Sequence, residues 1–482
     1  MIKTEKSLTK NAVLNSLKAA LSVIFPLITY PYILRVLEVR NIGEIDFTGS
    51  IINYFILIGG LGINVYAIRE GARLRNKKKE LNVFANQMLT LNILTTIFSY
   101  LCLFIFVFFS KKLHNYITLI TIQSISIFAN LLGVFWIFSI FEDYFYITVR
   151  SLLIHILSVI LMFILVKNPD DYLKYASISI FANTGANFYN LYKAKKYINI
   201  SLTKNLELSK HLKPILIIFS SSVASTIYVN ADKTMLGYFL NNYFVGLYSA
   251  SVNIYTVLKI MFIAIIQVSL PRLSNYLSEN KFIEYKRTAT YIFQLFFIIL
   301  VPAVIGLVMV APEIINLIGG DKYTESILTL QILSVSLFFS ILATFYTNVV
   351  LLPFNKESQV LISTLICAIL NILFNILLIP YFKHNAAAIT TVFAEFLMFL
   401  IQLYFSKHLY KLEVPFKFFI SIIIGSFVIV IICTLINFFS LTSILSLFLK
   451  LLLSLIAYLY VLYLLDNKFL KDLLYKSLNN NK

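Results

Sequence analysis

The chain has 482 residues, of which 59% are apolar and 13% charged, with a mean hydropathy of +0.85 and a net charge of +18. A water-soluble domain carries nearer a quarter charged residues, so this composition excludes a soluble globule and predicts a polytopic membrane protein. The three cysteines lie inside apolar runs, at spacings typical of neither a disulfide framework nor a metal site. No basic soluble module with base-stacking aromatic residues is visible, so nucleic acid is excluded as a partner despite the positive charge.

Apolar stretches bounded by charged residues, Asn, Gly or Pro predict about fourteen membrane-spanning helices, since one crossing needs roughly 20 apolar residues. In chain order, these spans 1 to 14 cover residues 11–34, 45–68, 84–109, 114–139, 144–166, 172–192, 214–236, 246–268, 289–310, 326–352, 358–380, 385–406, 416–438 and 442–465. The predicted fold class is an all-α polytopic membrane protein. Span 1 is too long and too polar for a cleavable signal peptide, so we expect it in the mature chain.

The Lys and Arg residues between the spans fall into two alternating sets of 27 and 8. The larger set contains both termini and the loops 69–79 and 193–213. Because basic loops stay on the cytoplasmic side, this bias predicts that both termini are cytoplasmic. The loops of the smaller set are short, so we expect the substrate to be handled inside the membrane.

A weak internal repeat with an offset of 203 residues divides the chain. Residues 42–45 and 245–248 correspond under this offset, and each segment joins two spans. The repeat predicts two six-span lobes of like orientation with a substrate path between them. The expected boundaries are 1–198 for the N-terminal lobe, 199–213 for a cytoplasmic linker, 214–410 for the C-terminal lobe, and 411–482 for spans 13 and 14 with a cytoplasmic tail.

Polar residues at helical spacing interrupt several spans, where each ionisable group needs a partner or a function. Under the offset of 203, the polar face of span 1 overlays that of span 7, which pairs Lys18 with Ser221 and Thr29 with Asp232. Further polar stripes on spans 8 and 10 comprise Ser251, Tyr255 and Lys259, and Ser336, Ser340 and Thr344. The agreement between stripes predicts a polar cavity between the lobes.

The candidate substrate-binding residues of this cavity are four cations: Lys18, Arg150, Lys233 and Lys259. They suit an anion such as phosphate or pyrophosphate, since Lys supplies a point charge and Arg a bidentate fork. Asp232 and Glu395 are candidates to carry a coupling H⁺ or Na⁺. The sequence has no phosphate-binding Gly-Lys loop, metal-ligand cluster or nucleophile motif, so we expect no catalytic residues, no metal, no cofactor and no enzymatic activity.

Each candidate also has a structural interpretation. Lys18 lies early in its span and can snorkel to the cytoplasmic interface, whereas mid-span Lys259 is less able to. Asp232 and Lys233 can form a pair at the membrane interface, and Glu395 can pair with another helix. Lys450 is interpreted as structural, at a membrane-facing or interfacial position.

Several segments resemble the Wzx-type O-antigen and polysaccharide flippases. The resemblance begins with Phe25-Pro26-Leu27-Ile28-Thr29-Tyr30-Pro31-Tyr32, Arg35-Val36-Leu37 and Arg69-Glu70. It continues through Trp136–Tyr144, where Ser139-Ile140 departs from the family's usual Gln-Gly, and through Asp232-Lys233-Thr234-Met235-Leu236-Gly237 and Val245-Gly246-Leu247-Tyr248. It covers residues 10 to 400.

This resemblance implies membership of the multidrug/oligosaccharidyl-lipid/polysaccharide exporter superfamily, with twelve helices in two lobes plus two more. It implies transport of an undecaprenyl-diphosphate-linked oligosaccharide from the inner to the outer leaflet of the bacterial cytoplasmic membrane by alternating access. The expected partners are this lipid-linked substrate and membrane lipids. Association with a polysaccharide polymerase or a chain-length regulator stays open.

The residues agree less well with two other functions. A multidrug antiporter of the same superfamily would favour acidic cavities for cationic drugs, but bases outnumber acids within the spans. A membrane-embedded glycosyltransferase or polymerase would need catalytic acids or a large external loop, and the predicted external loops are short.

Overall fold

The structure, a computed structural model, describes residues 27–267, 269–439 and 441–472. Within these ranges the chain is helical with no strand, and eleven helical segments are long and apolar enough to cross a membrane. The all-α polytopic class predicted from the sequence is confirmed, and the protein is a multi-pass membrane protein.

The helices follow the apolar spans closely. The elements used below are α1 (27–36), α2 (Val39–Gly60), α3 (Ile63–Arg73), α4 (Lys78–Phe109), α5 (Ile117–Gly133), α6 (Phe135–Ile140), α7 (Tyr144–Leu165), α8 (Tyr172–Thr184), α9 (Asn190–Ala194), α10 (Leu208–Phe239), α11 (Asn242–Gln267), α12 (Leu270–Ser278), α13 (Phe282–Gly319), α14 (Ser326–Phe345), α15 (Glu357–Ser406), α16 (Phe416–Asn437) and α17 (Ser443–Leu464). Short 3₁₀ segments cover Lys111–Tyr116, Pro169–Asp171, Gly185–Tyr189 and Asp321–Tyr323, and a π-helical turn covers Tyr346–Leu351.

The differences from the predicted spans have local causes. Span 2 becomes α2 and α3, because Leu61 and Gly62 both take left-handed backbone conformations. Spans 11 and 12 are present as two helical stretches within α15, separated as predicted at Lys383, whose backbone is not helical (φ 54°, ψ −133°). Span 6 forms only the short α-helix α8, which is followed by the 3₁₀ turn Gly185–Tyr189.

The described chain forms two compact units, one ending at Gly246 and the other beginning at Leu247. Helix α10 packs against α2 and therefore belongs to the first unit, one helix later than the predicted lobe boundary. The lobe boundaries themselves stay a prediction.

A ladder of polar side chains on α4 fixes the segment that precedes α10. The side-chain oxygens of Asn82, Asn86 and Thr90 accept hydrogen bonds from the backbone N–H groups of residues 199, 201 and 203, at 3.0–3.2 Å. Gln87 donates to the carbonyl of Asn205 at 3.1 Å. Because the three acceptors are four residues apart on one helical face, the linker lies extended along α4.

Two glycines allow α2 and the first turn of α11 to cross at backbone contact within the first unit. A Cβ on Gly43 would lie 1.7 Å from the carbonyl oxygen of Asn242, and a Cβ on Gly246 would lie 2.0 Å from that of Val39. Val39 and Asn242, like Gly43 and Gly246, are separated by the repeat offset of 203. The contact is reciprocal, as a repeat with this offset predicts.

In the second unit, the hairpin of α16 and α17 packs on α13 through buried polar contacts. Tyr458 donates to the carbonyl of Ile298 at 2.7 Å, and Lys450 forms an ion pair with Glu313. The Lys450 side chain is only 1% exposed, so its predicted membrane-facing or interfacial position is wrong, because the charge turns inward to meet a carboxylate. Its structural role agrees with the sequence interpretation.

We expect Lys450→Met to loosen this hairpin. Removal of one partner leaves the Glu313 carboxylate buried without its counter-ion, which costs about 3–5 kcal/mol of unfolding free energy. The buried thiol of Cys433, 3.6 Å from the Ser454 hydroxyl between α16 and α17, should then react with a thiol dye at a lower temperature.

Lys417→Met is the matched control, because Lys417 and its neighbour Asp466 are both more than half exposed. This substitution should shift the dye reaction little, since exposed pairs contribute about 0–1 kcal/mol. Equal behaviour of the two variants would show that the buried pair does not hold the hairpin.

Candidate functional site

A polar seam joins α2 and α10 within the first unit. The hydroxyls of Ser50 and Thr234 lie 2.8 Å apart, and the Tyr54 hydroxyl lies 3.3 Å from that of Thr234. One turn away, Asn53 donates to the side-chain oxygen of Asn230 at 3.0 Å. Side-chain hydrogen bonds satisfy these polar groups in a pair of helices long enough to span a membrane.

An ion pair extends this seam. The ammonium of Lys233 lies 2.9 Å from the carboxylate of Asp46 on α2, with the two side chains 18% and 27% exposed. The neighbouring Asp232 is 6% exposed and lies near the Tyr54 hydroxyl. Lys233 thus pairs across helices. Asp46 was missed in the sequence, although an acidic residue at the start of span 2 was the available signal.

A second buried pair occupies the second unit. Lys259 on α11 lies 2.9 Å from Glu395 on α15, and their side chains are 25% and 5% exposed. The Lys259 ammonium also lies 3.4 Å from the Tyr255 hydroxyl. The structure therefore unites a residue predicted to bind substrate with one predicted to couple an ion. For Glu395, the geometry matches the alternative of an ion pair with another helix.

The surroundings of this pair come from the predicted polar stripes. The Tyr255 hydroxyl lies beside the hydroxyls of Ser336 and Ser340 on α14. Ser251, in the same stripe as Tyr255, instead exchanges hydrogen bonds with Ser326: each hydroxyl donates to backbone on the opposite helix, at 2.8 and 2.9 Å. One part of the stripe thus surrounds charge, and the other part packs helices together.

Arg150 on α7 lies at a break between helices. Its guanidinium donates to the carbonyl of Ala186 at 2.8 Å and to the side-chain oxygen of Asn190. Asn190 in turn donates to the carbonyl of Gly133 at 2.6 Å, where α5 ends. Arg150 therefore stabilises backbone groups released by the helix break, and it lies in the first unit with Lys233.

Lys18 lies outside the described residues. A buried network of Asn371, Asn375 and Thr390 was missed, because its members are uncharged and satisfy one another at 2.8–3.4 Å. In the ranges that the structure describes, no group of three His, Cys, Asp or Glu side chains is arranged to hold a metal ion.

Outside the spans, the loop between α7 and α8 carries a perturbed acid. Lys174 at 2.7 Å and the backbone N–H groups of Lys167 and Asn168 stabilise the Asp171 carboxylate and lower its pKa to about 2. Asn41 donates to Pro169 in the same loop at 2.8 Å, so the loop is tied to α2. These contacts give Asp171 a structural role in the loop between α7 and α8. The candidate functional residues are therefore the charged groups within the membrane-length helices.

Solved structures with the same architecture are transporters. The chain aligns with a structure of lipid II flippase MurJ in an inward closed conformation at a TM-score of 0.73 and 16% identity, over 95% of this chain and 99% of that one. It aligns with an inward-facing multidrug resistance MATE family transporter of the MOP superfamily at a TM-score of 0.57 and 14% identity, over 80% and 97% of the two chains. At these identities the likeness shows the fold.

Sequence comparisons agree with the fold. A protein of Shigella dysenteriae named for O-antigen transport is 24% identical over 371 residues, 76% of this chain and 91% of its own length. Another with the same name from Escherichia coli (strain K12) is 22% identical over 364 residues, 73% of this chain and 85% of its own length. The model of the family described as Polysaccharide biosynthesis protein matches residues 8–277. Because this match covers more than half of the 482 residues, the chain belongs to the polysaccharide biosynthesis protein family.

Proposed function

We propose that the protein is a flippase that moves a lipid-linked oligosaccharide across a membrane. The substrate is an oligosaccharide repeat unit on an undecaprenyl diphosphate carrier, destined for O-antigen, capsule or a related surface polysaccharide. Family membership, relatives named for O-antigen transport and a fold like that of a lipid II flippase all support this proposal.

The observation that carries the proposal is cationic charge within membrane-length helices. Arg150, Lys233 and Lys259 lie on α7, α10 and α11, and the two lysines keep 18% and 25% of their side chains exposed. Charged groups at such depth are costly and mark substrate or ion pathways. A diphosphate is the natural ligand, because it supplies negative charge to Arg150, whose hydrogen bonds go to neutral acceptors, and can replace the carboxylate partners of Lys233 and Lys259.

In this proposal the protein works by alternating access in the bacterial cytoplasmic membrane, with both termini in the cytoplasm. The substrate enters from the inner leaflet and leaves to the outer leaflet. Lys18, Arg150, Lys233 and Lys259 contact the diphosphate and sugars, and Asp232 or Glu395 carries a coupling H⁺ or Na⁺. No chemical bond is made or broken.

Reconstitution tests the function directly. Purified protein in liposomes containing undecaprenyl-diphosphate oligosaccharide should expose the inner-leaflet sugars to an externally added lectin at least about tenfold faster than protein-free liposomes, a difference of about 1.4 kcal/mol in barrier height. Equal rates would overturn the proposal. Gradient-driven export of a cationic dye from the same vesicles, without sugar exposure, would instead favour the multidrug alternative.

A further inference from the structure

Two cations share one aromatic ring at the predicted cytoplasmic end of the first unit. The guanidinium carbon of Arg150 lies 5.4 Å from the ring centre of Tyr146, and the ammonium of Lys193 lies 5.6 Å from the same centre. Such contacts hold a cation near a ring without neutralising it. Two positive charges are thus gathered at one place.

Within the described chain, neither cation forms an ion pair. The hydrogen bonds of Arg150 go to neutral acceptors, Ala186 and Asn190, and its buried Nε atom has no acceptor among the described residues. The acid nearest in sequence, Asp143, accepts a hydrogen bond from Tyr197 at 2.5 Å. Several other cations in the predicted cytoplasmic loops do have carboxylates: Arg69 and Arg73 pair with Glu70, and Arg75 pairs with Glu142.

Exposed aromatic side chains lie on the same short segment as Lys193. Phe188, Tyr189 and Tyr192 are 50%, 54% and 66% exposed, and the rings of Tyr189 and Tyr192 lie 5.5 Å apart. Phe188 and Tyr189 end the 3₁₀ turn Gly185–Tyr189, and Tyr192 lies in α9, which follows it. A tyrosine face offers apolar surface together with a hydroxyl for hydrogen bonding, which suits the mixed surface of a sugar ring.

We propose that Arg150, Lys193 and the tyrosines 146, 189 and 192 form a loading site for a sugar diphosphate at the cytoplasmic ends of α7 and α9. The guanidinium and ammonium bind the diphosphate, and the exposed tyrosines contact the first sugar. This proposal rests on the proposed function, because it takes the flippase substrate as the source of the diphosphate. An anionic phospholipid offers the same phosphate chemistry with one phosphate and no oligosaccharide.

The only tryptophan of the chain makes the site measurable in the native protein. Trp136 is 1% exposed and lies three positions after Gly133 in the sequence. It belongs to the hydrophobic cluster against which Tyr146 and Leu191 pack. Its fluorescence should therefore respond to a ligand at Arg150 and Lys193. The full chain in nanodiscs of zwitterionic lipid is titrated with inorganic pyrophosphate, and then with a short-chain prenyl-diphosphate sugar.

We expect saturable binding of both probes, with the sugar conjugate tighter. Lys193→Gln should weaken pyrophosphate binding about tenfold, the effect of losing one charge-assisted contact. Lys193→Gln should leave the fold intact, because the Lys193 side chain forms no hydrogen bond to any described residue, whereas Arg150→Gln also removes bonds to Ala186 and Asn190. Lys195→Gln, two residues away and not in contact with Tyr146, is the matched control and should bind as the wild type does.

Two outcomes would overturn the loading site. One is equal pyrophosphate affinity in wild type and Lys193→Gln. The other is competition by phosphatidylglycerol as strong as that by the sugar conjugate, which would make this an ordinary lipid site. Failure of the flippase function has a different signature: pyrophosphate binding would persist and depend on Lys193, while the reconstituted protein would expose no lipid-linked sugar.

Discussion

Lys259→Met will lower both the amount of folded protein in the membrane and the rate of translocation, whereas Lys259→Met combined with Glu395→Leu will recover only the amount. The single substitution leaves a carboxylate that is 5% exposed without its counter-ion, at a cost of about 3–5 kcal/mol. Replacing both partners with apolar groups of similar size removes that penalty. The double variant separates the structural role of the pair from its role in transport.

The measurements are membrane abundance by quantitative immunoblot and sugar exposure in reconstituted vesicles, normalised to protein. We expect the double variant to translocate at least about tenfold more slowly than wild type, as a lost contact of about 1.4 kcal/mol to the diphosphate would cause. If the double variant recovered both abundance and transport, Lys259 and Glu395 would have only a structural role.

The second large effect concerns the helix crossing at Gly43 and Gly246. Gly43→Ala or Gly246→Ala places a methyl group 1.7 or 2.0 Å from a backbone oxygen, so the helices must separate. Overpacking of this kind costs about 1–3 kcal/mol or more, and here the opposing atom is backbone that cannot turn aside. Each variant should unfold at a lower temperature in detergent and translocate more slowly.

Gly306→Ala is the internal control. Gly306 lies on α13, and a Cβ there would meet nothing within 4 Å. Alanine favours a helix over glycine by about 0.8–1.0 kcal/mol, so this variant should be neutral or slightly stabilised. If all three variants melted alike, the close approach at the crossing would contribute nothing particular.

The helices were predictable because the membrane imposes a strong and simple pattern. Spans 2 to 14 each correspond to described helices, since a run of roughly 20 apolar residues has few alternatives in lipid. The break at Lys383 was predicted, since it lies between spans 11 and 12, but nothing in the apolar pattern of span 4 marks Val134, between α5 and α6, as left-handed. Such positions depend on tertiary contacts, like that of Asn190 with the carbonyl of Gly133.

For the site, the sequence identified individual charges but not their partners. Lys259 and Glu395 stood out because ionisable residues in spans are rare, yet 136 residues separate them and no spacing rule joins them. Asp46 was missed as the partner of Lys233 for the same reason. The glycine contact was not predicted either: the repeat relates Gly43 to Gly246 as equivalent positions, but it does not by itself place them in contact.

The ladder on α4 sets a tether length for α10. The carbonyl of Asn205 is bonded to Gln87 on α4 and α10 begins at Leu208, so only residues 206 and 207 lie between them, and the carbonyl of Glu207 already accepts hydrogen bonds from Lys210 and His211 of α10. At about 3.5 Å per extended residue, these two residues span at most roughly 7 Å. His211, one turn into α10, also connects this end of the helix to α3 and α4, through hydrogen bonds to Tyr66 and Gln87 at 2.8 and 3.0 Å. The N-terminal end of α10 must therefore move with α3 and α4 during transport, or these hydrogen bonds must break.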